Sequence, residues 1–184
     1  MPFTAGQRAQ AATFNANMPQ LIGSTILTGP AAAITIGIPT GFNHLQAVWS
    51  ARSDAAAGAV SINLRLNGDS GNNYVWQNSQ ANNTSAGGAD GGGATSLLQV
   101  GSAPGASGTT ANYFGTGNFS AANIASAVFK PVSGTSIAAT TATNTYSGSY
   151  GGMWLSTAVI TAVTLLANSG NLIAASSLSI YGWG

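Results

Sequence analysis

The 184-residue sequence contains no cysteine and no glutamate, and charged residues make up only 4% of it, against roughly 25% in an average soluble domain. Without thiols the chain offers no zinc ribbon, iron–sulfur site, disulfide framework or thiol nucleophile. Four scattered cations and a net charge of +1 cannot form a phosphate-binding surface, so we expect no nucleic-acid partner. The ionisable side chains other than tyrosine are Arg8, His44, Arg52, Asp54, Arg65, Asp69, Asp90 and Lys130.

Long apolar runs are also missing. The most apolar window, residues 158–167, is interrupted by Thr161 and Thr164 and is much shorter than the roughly 18–20 apolar residues of a membrane-spanning helix. The first ten residues, MPFTAGQRAQ, lack the basic region and apolar stretch of a secretory signal. We therefore expect no membrane insertion, and a protein that is made in a cell and leaves it only by lysis.

Catalytic groups are scarce. Glycoside hydrolysis needs two carboxylates that flank one bond, whereas Asp54 and Asp69 lie in apparent turns at opposite ends of a predicted strand, more than about 20 Å apart. A Ser–His–Asp triad would have to use His44, and no G-x-S-x-G nucleophile elbow occurs. A structural histidine at the start of a strand is the simpler interpretation of His44. The sequence therefore predicts a protein that is not an enzyme and uses no cofactor.

Residues 67–73 (NGDSGNN) admit two interpretations. They offer several oxygen ligands, but they lack a second carboxylate and the closing glutamate of an EF-hand calcium loop. Asn, Gly and Asp tolerate positive φ and bond their own backbone, so turn chemistry accounts for every residue. The sequence favours a structural turn and leaves calcium as the alternative.

Glycine, serine, threonine, asparagine and glutamine replace charge on the surface, with 25 glycines in all. The 45% of hydrophobic residues excludes the composition of a disordered chain and permits a buried core. A neutral surface has few long charged side chains to immobilise at a contact, and copies of it repel one another weakly. This composition suits a protein that works packed against neighbours in a particle.

From Leu21 onward the dominant period of apolar residues is two, which predicts strands. The pattern favours an all-β, jelly-roll-like antiparallel β-sandwich of about eight to ten strands. A hairpin is expected to join the strand at 60–66 to the one that begins at Tyr74, and residues 78–95 are expected to form a flexible loop. Strands are predicted at or near residues 34–38, 44–51, 60–66, 74–76, 97–100, 113–119, 123–129, 143–150, 159–166 and 178–183.

The first twenty residues differ from the rest and form a separate unit in this prediction. Residues 1–20 are a short docking arm whose candidate contact residues are Phe3, Arg8 and Phe14, and residues 21–184 form the sandwich domain. In that domain, Trp76, Tyr146 and Tyr150 lie beside Gly, Ser, Asn and Gln, a mixture typical of adaptable contact surfaces. They are candidate glycan or partner contacts, with a core role left open for Trp76 and Tyr150. Trp49 and Trp154 are predicted core residues.

Several segments, taken in order, resemble a β-rich domain of structural proteins of tailed bacteriophages. They are FNHL at 42–45, WSARSD at 49–54, LRLNGD at 64–69, GNNY at 71–74, GMWLSTA at 152–158, ITAVTL at 160–165 and LSIYG at 178–182. Residues 3–7 and 14–16 are similar to the short segment that opens many phage tail proteins. The resemblance implies a virion structural role and no catalytic residue. The matches at Arg52/Asp54 and Arg65/Asp69 predict structural pairs, in which each arginine donates to a turn carboxylate.

The sequence therefore predicts a non-enzymatic protein on the surface of a tailed-phage virion. A minor tail or fibre-type protein that takes part in assembly and host attachment is the leading expectation. A capsid decoration protein and a secreted carbohydrate-binding module are the alternatives. The expected partners are other virion proteins (tail or major capsid protein), further copies of the chain, most simply in a trimer, and a host surface glycan.

Overall fold

Twelve strands and no helix make up the part of the chain that is described by a computed structural model, residues 18–83, 85–106 and 111–184, with the side chains of 85–90 left out. The strands are β1 (Gln20–Ile26), β2 (Ile34–Gly37), β3 (His44–Ala51), β4 (Ala59–Leu66), β5 (Tyr74–Asn82), β6 (Ser85–Thr95), β7 (Leu98–Pro104), β8 (Gly115–Ala122), β9 (Lys130–Thr141), β10 (Asn144–Trp154), β11 (Ala162–Ala167) and β12 (Ser177–Trp183).

The strands form two antiparallel sheets that pack as a sandwich. The large sheet has eight strands in the order β1-β12-β3-β8-β9-β10-β5-β6, and the small sheet has four in the order β2-β11-β4-β7. All pairings between strands are antiparallel. The predicted fold class, an all-β antiparallel sandwich, is confirmed.

Alternation of apolar residues builds the core between the sheets. In β3, Leu45, Ala47, Trp49 and Ala51 are buried while Gln46 and Val48 are exposed. In β4, Val60, Ile62, Leu64 and Leu66 face the core in the same way. A period of two places successive side chains on opposite faces, so these two strands contribute every second residue to the core, whereas β7 is buried along its whole length.

The turn at residues 67–73 joins two sheets, and the expected hairpin between the strands on either side of it is wrong. β4 pairs with β11 and β7 in the small sheet, whereas β5 pairs with β10 and β6 in the large one. The turn itself is as predicted, since Asn67 and Gly68 have φ of 56° and 68°. A local turn pattern does not reveal whether the chain returns along its own strand or crosses to the other sheet.

The described residues between 78 and 95 lie in two paired strands, β5 and β6, at the edge of the large sheet, in place of the expected flexible loop. Gln77 opposes Gly91 and Trp76 opposes Gly92, so backbone pairing holds a strand that has no apolar alternation. The strand expected at 123–129 is absent from this described segment. Asn123 has φ of 57° and begins a turn there. The next strand after this turn is β9, which starts at Lys130.

One end of the sandwich is apolar. Val128 and Phe129 lie in the loop between β8 and β9, and Leu155 and Val159 in the loop between β10 and β11; each is between 38% and 49% exposed. Met18, immediately before β1, is also exposed. We call these five residues the apolar end. The strand termini that lie there, across the large sheet, are Gln20, Trp183, His44, Ala122, Lys130, Trp154 and Tyr74.

The predicted docking arm joins the domain at this same end, because β1 starts there. Phe3, Arg8 and Phe14 lie outside the described residues. In the described part of the chain there is no helix that is long and apolar enough to cross a membrane.

Candidate functional site

The carboxylate of Asp69 ties the turn at 67–73 to the end of β10. Its Oδ1 accepts a hydrogen bond from the backbone N–H of Gly71 (2.8 Å), and its Oδ2 accepts from Asn73 Nδ2 (2.9 Å) and from Trp154 Nε1 (2.7 Å). The bond from Trp154 is the largest cause that holds the pKa of Asp69 below its ordinary value. Both carboxylate oxygens therefore accept from protein donors in a structural turn.

Residues 52–54 make a second set of contacts, with the loop between β11 and β12. Asp54 accepts from the backbone N–H of Asn171 (2.7 Å) and from its Nδ2 (3.1 Å), which lowers the pKa of Asp54. Ser53 Oγ donates to the carbonyl of Ser169 (2.8 Å). Arg52 is buried, and its Nη1 donates to the carbonyl of Tyr113 (3.3 Å).

The donors to the two aspartates thus differ from the predicted arginines. Asn171 binds Asp54, while Trp154, Asn73 and Gly71 bind Asp69. Arg65 donates its Nε–H to the carbonyl of Ser96 (3.3 Å), and it affects Asp69 only through its charge, as the smallest contribution to the lowered pKa.

The segments that resemble the phage domain meet in space. Asn67 Nδ2 donates to the carbonyl of Val159 (2.7 Å), and its Oδ1 accepts from the backbone N–H groups of Thr161 (2.7 Å) and Ala162 (3.1 Å). Together with the bond between Asp69 and Trp154, these contacts join the LRLNGD segment to the residues from 154 to 162. The residues of the resemblance therefore stabilise the fold at a crossover between the sheets.

Lys130 is fully buried and supports a loop of the apolar end. Its Nζ donates to the carbonyls of Ser126 (2.6 Å) and Val128 (2.5 Å). Burial lowers the pKa of Lys130, because removal from water disfavours the charged ammonium. This cation fixes the loop that displays Val128 and Phe129 and is not available to a ligand.

His44 begins β3, as predicted, and its ring stacks on Trp183 at a centroid distance of 5.6 Å. Within the described residues, no three side chains of histidine or aspartate come together as a metal site.

The candidate aromatic residues divide between core and surface. Trp49 and Trp154 are 1% and 2% exposed, so their predicted core role is confirmed. Tyr150 is also in the core, at 4% exposed, and its hydroxyl lies 3.4 Å from both Ser102 Oγ and Gln80 Oε1. Of the two roles that the sequence left open for Tyr150, the structure gives the core role, because its position on β10 faces the small sheet. Tyr146 is half-buried and pairs with Asn82 of β5. Asn82 lies six residues from Trp76 along that strand, so the structure does not bring the rings of Tyr146 and Trp76 together.

Trp76 lies in a polar cleft. The cleft has a volume of about 300 Å³ and opens beside the outer face of the small sheet. Trp76 is half-buried there and packs against the core. The other lining residues are Ser61, Asn63, Thr95, Ser96, Leu97, Gln99 and Asn168. Sequence reasoning found Trp76 but missed its neighbours, because they come from β4, from the segment that runs from the end of β6 into β7, and from the loop after β11.

A second, larger groove of about 630 Å³ lies on the outer face of β10, β5 and β6. Glycines form much of its floor, and Val75, Trp76, Gln77 and Met153 line it, so Trp76 borders both this groove and the cleft. A Cβ added at Gly93 or Gly151 would meet nothing within 4 Å. The groove has open space but few side chains that could recognise a ligand.

Comparisons with known proteins identify no family for this chain. No protein-family model matches the chain, and no curated protein matches its sequence. Among solved structures, the crystal structure of Caenorhabditis elegans galectin LEC-6 aligns with a TM-score of 0.37 and 12% sequence identity, covering 85% of this chain and 94% of that chain. A similarity this low transfers no property of that protein to this one.

Proposed function

We propose that the chain is a non-catalytic structural module of a tailed-bacteriophage virion, a tail or fibre-type protein that docks onto other virion proteins and contacts the host surface. The observation that carries the proposal is the apolar end. Exposed Val128, Phe129, Leu155 and Val159 lie at the same end of the sandwich as the start of β1, where the predicted docking arm enters the domain. Several exposed apolar side chains at one end of a domain are typical of an interaction site.

The use of the ionisable residues supports a non-catalytic role. Asp54 and Asp69 accept hydrogen bonds within turns, Arg52 and Arg65 donate to backbone carbonyls, and Lys130 holds a loop. General acid–base catalysis needs such groups within reach of a substrate. Here each of the five serves the fold.

The segments that resemble the phage domain support the choice of particle. Side chains of these segments hold the turns that connect the strands, through Asn67, Asp69 and Asp54, so the resemblance falls on residues that specify this architecture. The charge-poor surface suits assembly beside other copies and other virion proteins, because it brings little repulsion into a lattice.

Cryo-electron microscopy of intact particles, with this chain's density located, tests the proposal. Density on the tail or its tip is the expected result. Density on the head lattice would replace the tail role by capsid decoration, and absence from the particle would contradict the proposal as a whole.

A variant of the apolar end tests the docking surface. Val128→Ser with Phe129→Ser should lower the copies per particle about tenfold or more, because burial of each such side chain is worth roughly 1.5–3 kcal/mol and 1.4 kcal/mol is tenfold. Ile137→Ser is the matched control, since Ile137 is equally exposed but lies on the outer face of β9. Equal incorporation of both variants would show that the apolar end is not the docking surface.

A further inference from the structure

We propose that the Trp76 cleft binds a neutral saccharide, a terminal sugar of a host surface glycan. This inference rests on the attachment part of the proposed function and gives it a site and a class of ligand. Trp76 supplies an aromatic surface, and Ser61, Asn63, Gln99 and Asn168 surround it with hydroxyl and amide groups. The lining residues of the cleft carry no charge.

The cleft has polar groups that the fold does not use. Asn63 Nδ2 makes one long bond to the carbonyl of Ser61 (3.4 Å), and Asn168 Oδ1 accepts from the backbone N–H of Ser61 (3.1 Å). Among the described residues, no hydrogen bond engages Asn63 Oδ1, Asn168 Nδ2 or the Ser61 hydroxyl. An acceptor, a donor and a hydroxyl are thus left to bind a ligand.

The fold holds these groups in place before any ligand arrives. Asn63 and Gln99 are 4% and 5% exposed, and they oppose each other across β4 and β7. Gln99 Oε1 accepts from Asn78 Nδ2 (3.3 Å), and Arg65 fixes the rim through its bond to the carbonyl of Ser96. Preorganised side chains lose little freedom on binding, which favours affinity in a small site.

The chemistry selects a polyol with an apolar face. Small-molecule sites combine an apolar surface with a few placed polar groups, and about 300 Å³ is the lower limit of their usual volume. A sugar ring offers C–H groups to the electron-rich face of an indole and hydroxyls to amides. The side chains that line the cleft are uncharged, and the one cation at its rim, Arg65, already donates to the carbonyl of Ser96, so the lining favours a neutral ligand.

The first experiment is a glycan array that carries neutral and sialylated glycans, probed with the full chain. The strongest neutral glycan is then titrated into the ¹⁵N-labelled protein, and the four indole N–H signals are followed. Trp76→Phe identifies the signal of Trp76 by its loss. We expect that signal to shift, while the signal of buried Trp49 stays in place. Absence of any neutral glycan that binds, a preference for sialylated glycans, or a shift of Trp183 in place of Trp76 would overturn the proposal.

Three variants locate the site. Asn63→Ala should weaken binding tenfold or more, since a site built to hydrogen-bond a hydroxyl discriminates strongly. Ser61→Gln should abolish binding by filling the cleft from a half-buried strand position. Gly151→Val, which fills the outer groove where a Cβ meets nothing, should leave binding unchanged. Loss of binding in Gly151→Val with retention in Ser61→Gln would place the ligand in the glycine groove and reject the Trp76 cleft.

These outcomes are independent of the location of the protein in particles. A chain found on the tail that binds no neutral glycan would retain the structural role and lose the saccharide site. A chain that binds glycan through Trp76 but is absent from particles would retain the saccharide site and lose the structural role.

Discussion

Asp69 connects two parts of the molecule through one side chain: its own turn, through Gly71 and Asn73, and Trp154 at the end of β10. Trp154 is almost fully buried, so its indole N–H depends on this carboxylate for a partner. A buried donor left without an acceptor costs the free energy of its desolvation.

Asp69→Ala should therefore lower the free energy of unfolding by about 1–3 kcal/mol, measured by urea denaturation. Asp69→Asn keeps an acceptor oxygen and should cost less than Asp69→Ala. If both variants cost the same, or if neither costs anything, the bond from Trp154 contributes nothing to stability.

The same carboxylate, with Asp54, makes stability depend on acid pH. The pKa of each is lowered from 3.8, chiefly by Trp154 for Asp69 and by the backbone of Asn171 for Asp54. The unfolded chain binds protons at a higher pH than the folded one, so this stabilisation is complete well above pH 3.8 and is lost as the pH falls through the lowered values. When the urea midpoint of unfolding is measured between pH 2 and 6, it should fall toward acid pH for the wild type. The fall should be less steep for the double variant Asp54→Asn, Asp69→Asn. Parallel curves would contradict the assignment.

Two aromatic residues show how much of the candidate site could be predicted from the sequence. Trp76 and Tyr150 have similar neighbours in sequence, yet Tyr150 is buried against Ser102 while Trp76 lines a cleft. Both face inward on their strands, and the difference depends on how far the small sheet extends over each. That extent is a tertiary property, which no local pattern contains.

Among the elements, β9 depends on a glycine at its contact with β8. A Cβ on Gly134 would collide with the backbone oxygen of Asn118, whereas one on Gly151 of β10 would meet nothing within 4 Å. A collision with backbone cannot be relieved by a side-chain rotation, so the strands would have to separate.

Gly134→Ala should therefore lower the free energy of unfolding by about 1–3 kcal/mol, the usual range for forced overpacking. Gly151→Ala is the matched control and should be neutral or raise stability by up to about 1 kcal/mol, because alanine restricts the unfolded chain. The measurement is urea denaturation of both variants. Equal stabilities would show that the sheet adjusts at β8 and β9 without cost.

Strands with apolar alternation could be predicted closely, and glycine-rich strands could not. His44–Ala51 matches its predicted bounds, and Ala59–Leu66 differs by one residue. Ser85–Thr95 was missed because its pairing with β5 uses backbone groups and leaves no apolar period in the sequence. The two-sheet crossover at residues 67–73 was missed for another reason, since its stabilising partner, Trp154, lies 85 residues along the chain from Asp69.

At the scale of the whole molecule, the low charge determines how copies of the chain interact. The surface has little charge to screen, and the exposed large side chains of the apolar end are uncharged. Association through such a surface is driven by burial of apolar area, which moderate salt changes little compared with ion pairs.

Size-exclusion chromatography with light scattering should therefore show an oligomer, most simply a trimer, whose mass is the same in 0.05 M and 0.5 M NaCl. Dissociation at the higher salt concentration would indicate that charged groups hold the copies together. A strict monomer at high protein concentration would contradict self-association of the free protein.

The burial of Lys130 has a practical consequence for chemical modification. It is the one lysine of the sequence, and its amine lies inside the folded domain with two carbonyls as partners. Amine-reactive dyes, cross-linkers and biotin esters will therefore leave every described side chain of the folded domain unmodified. The rate at which Lys130 reacts therefore measures how often the domain opens, and a label found on Lys130 identifies molecules that have opened.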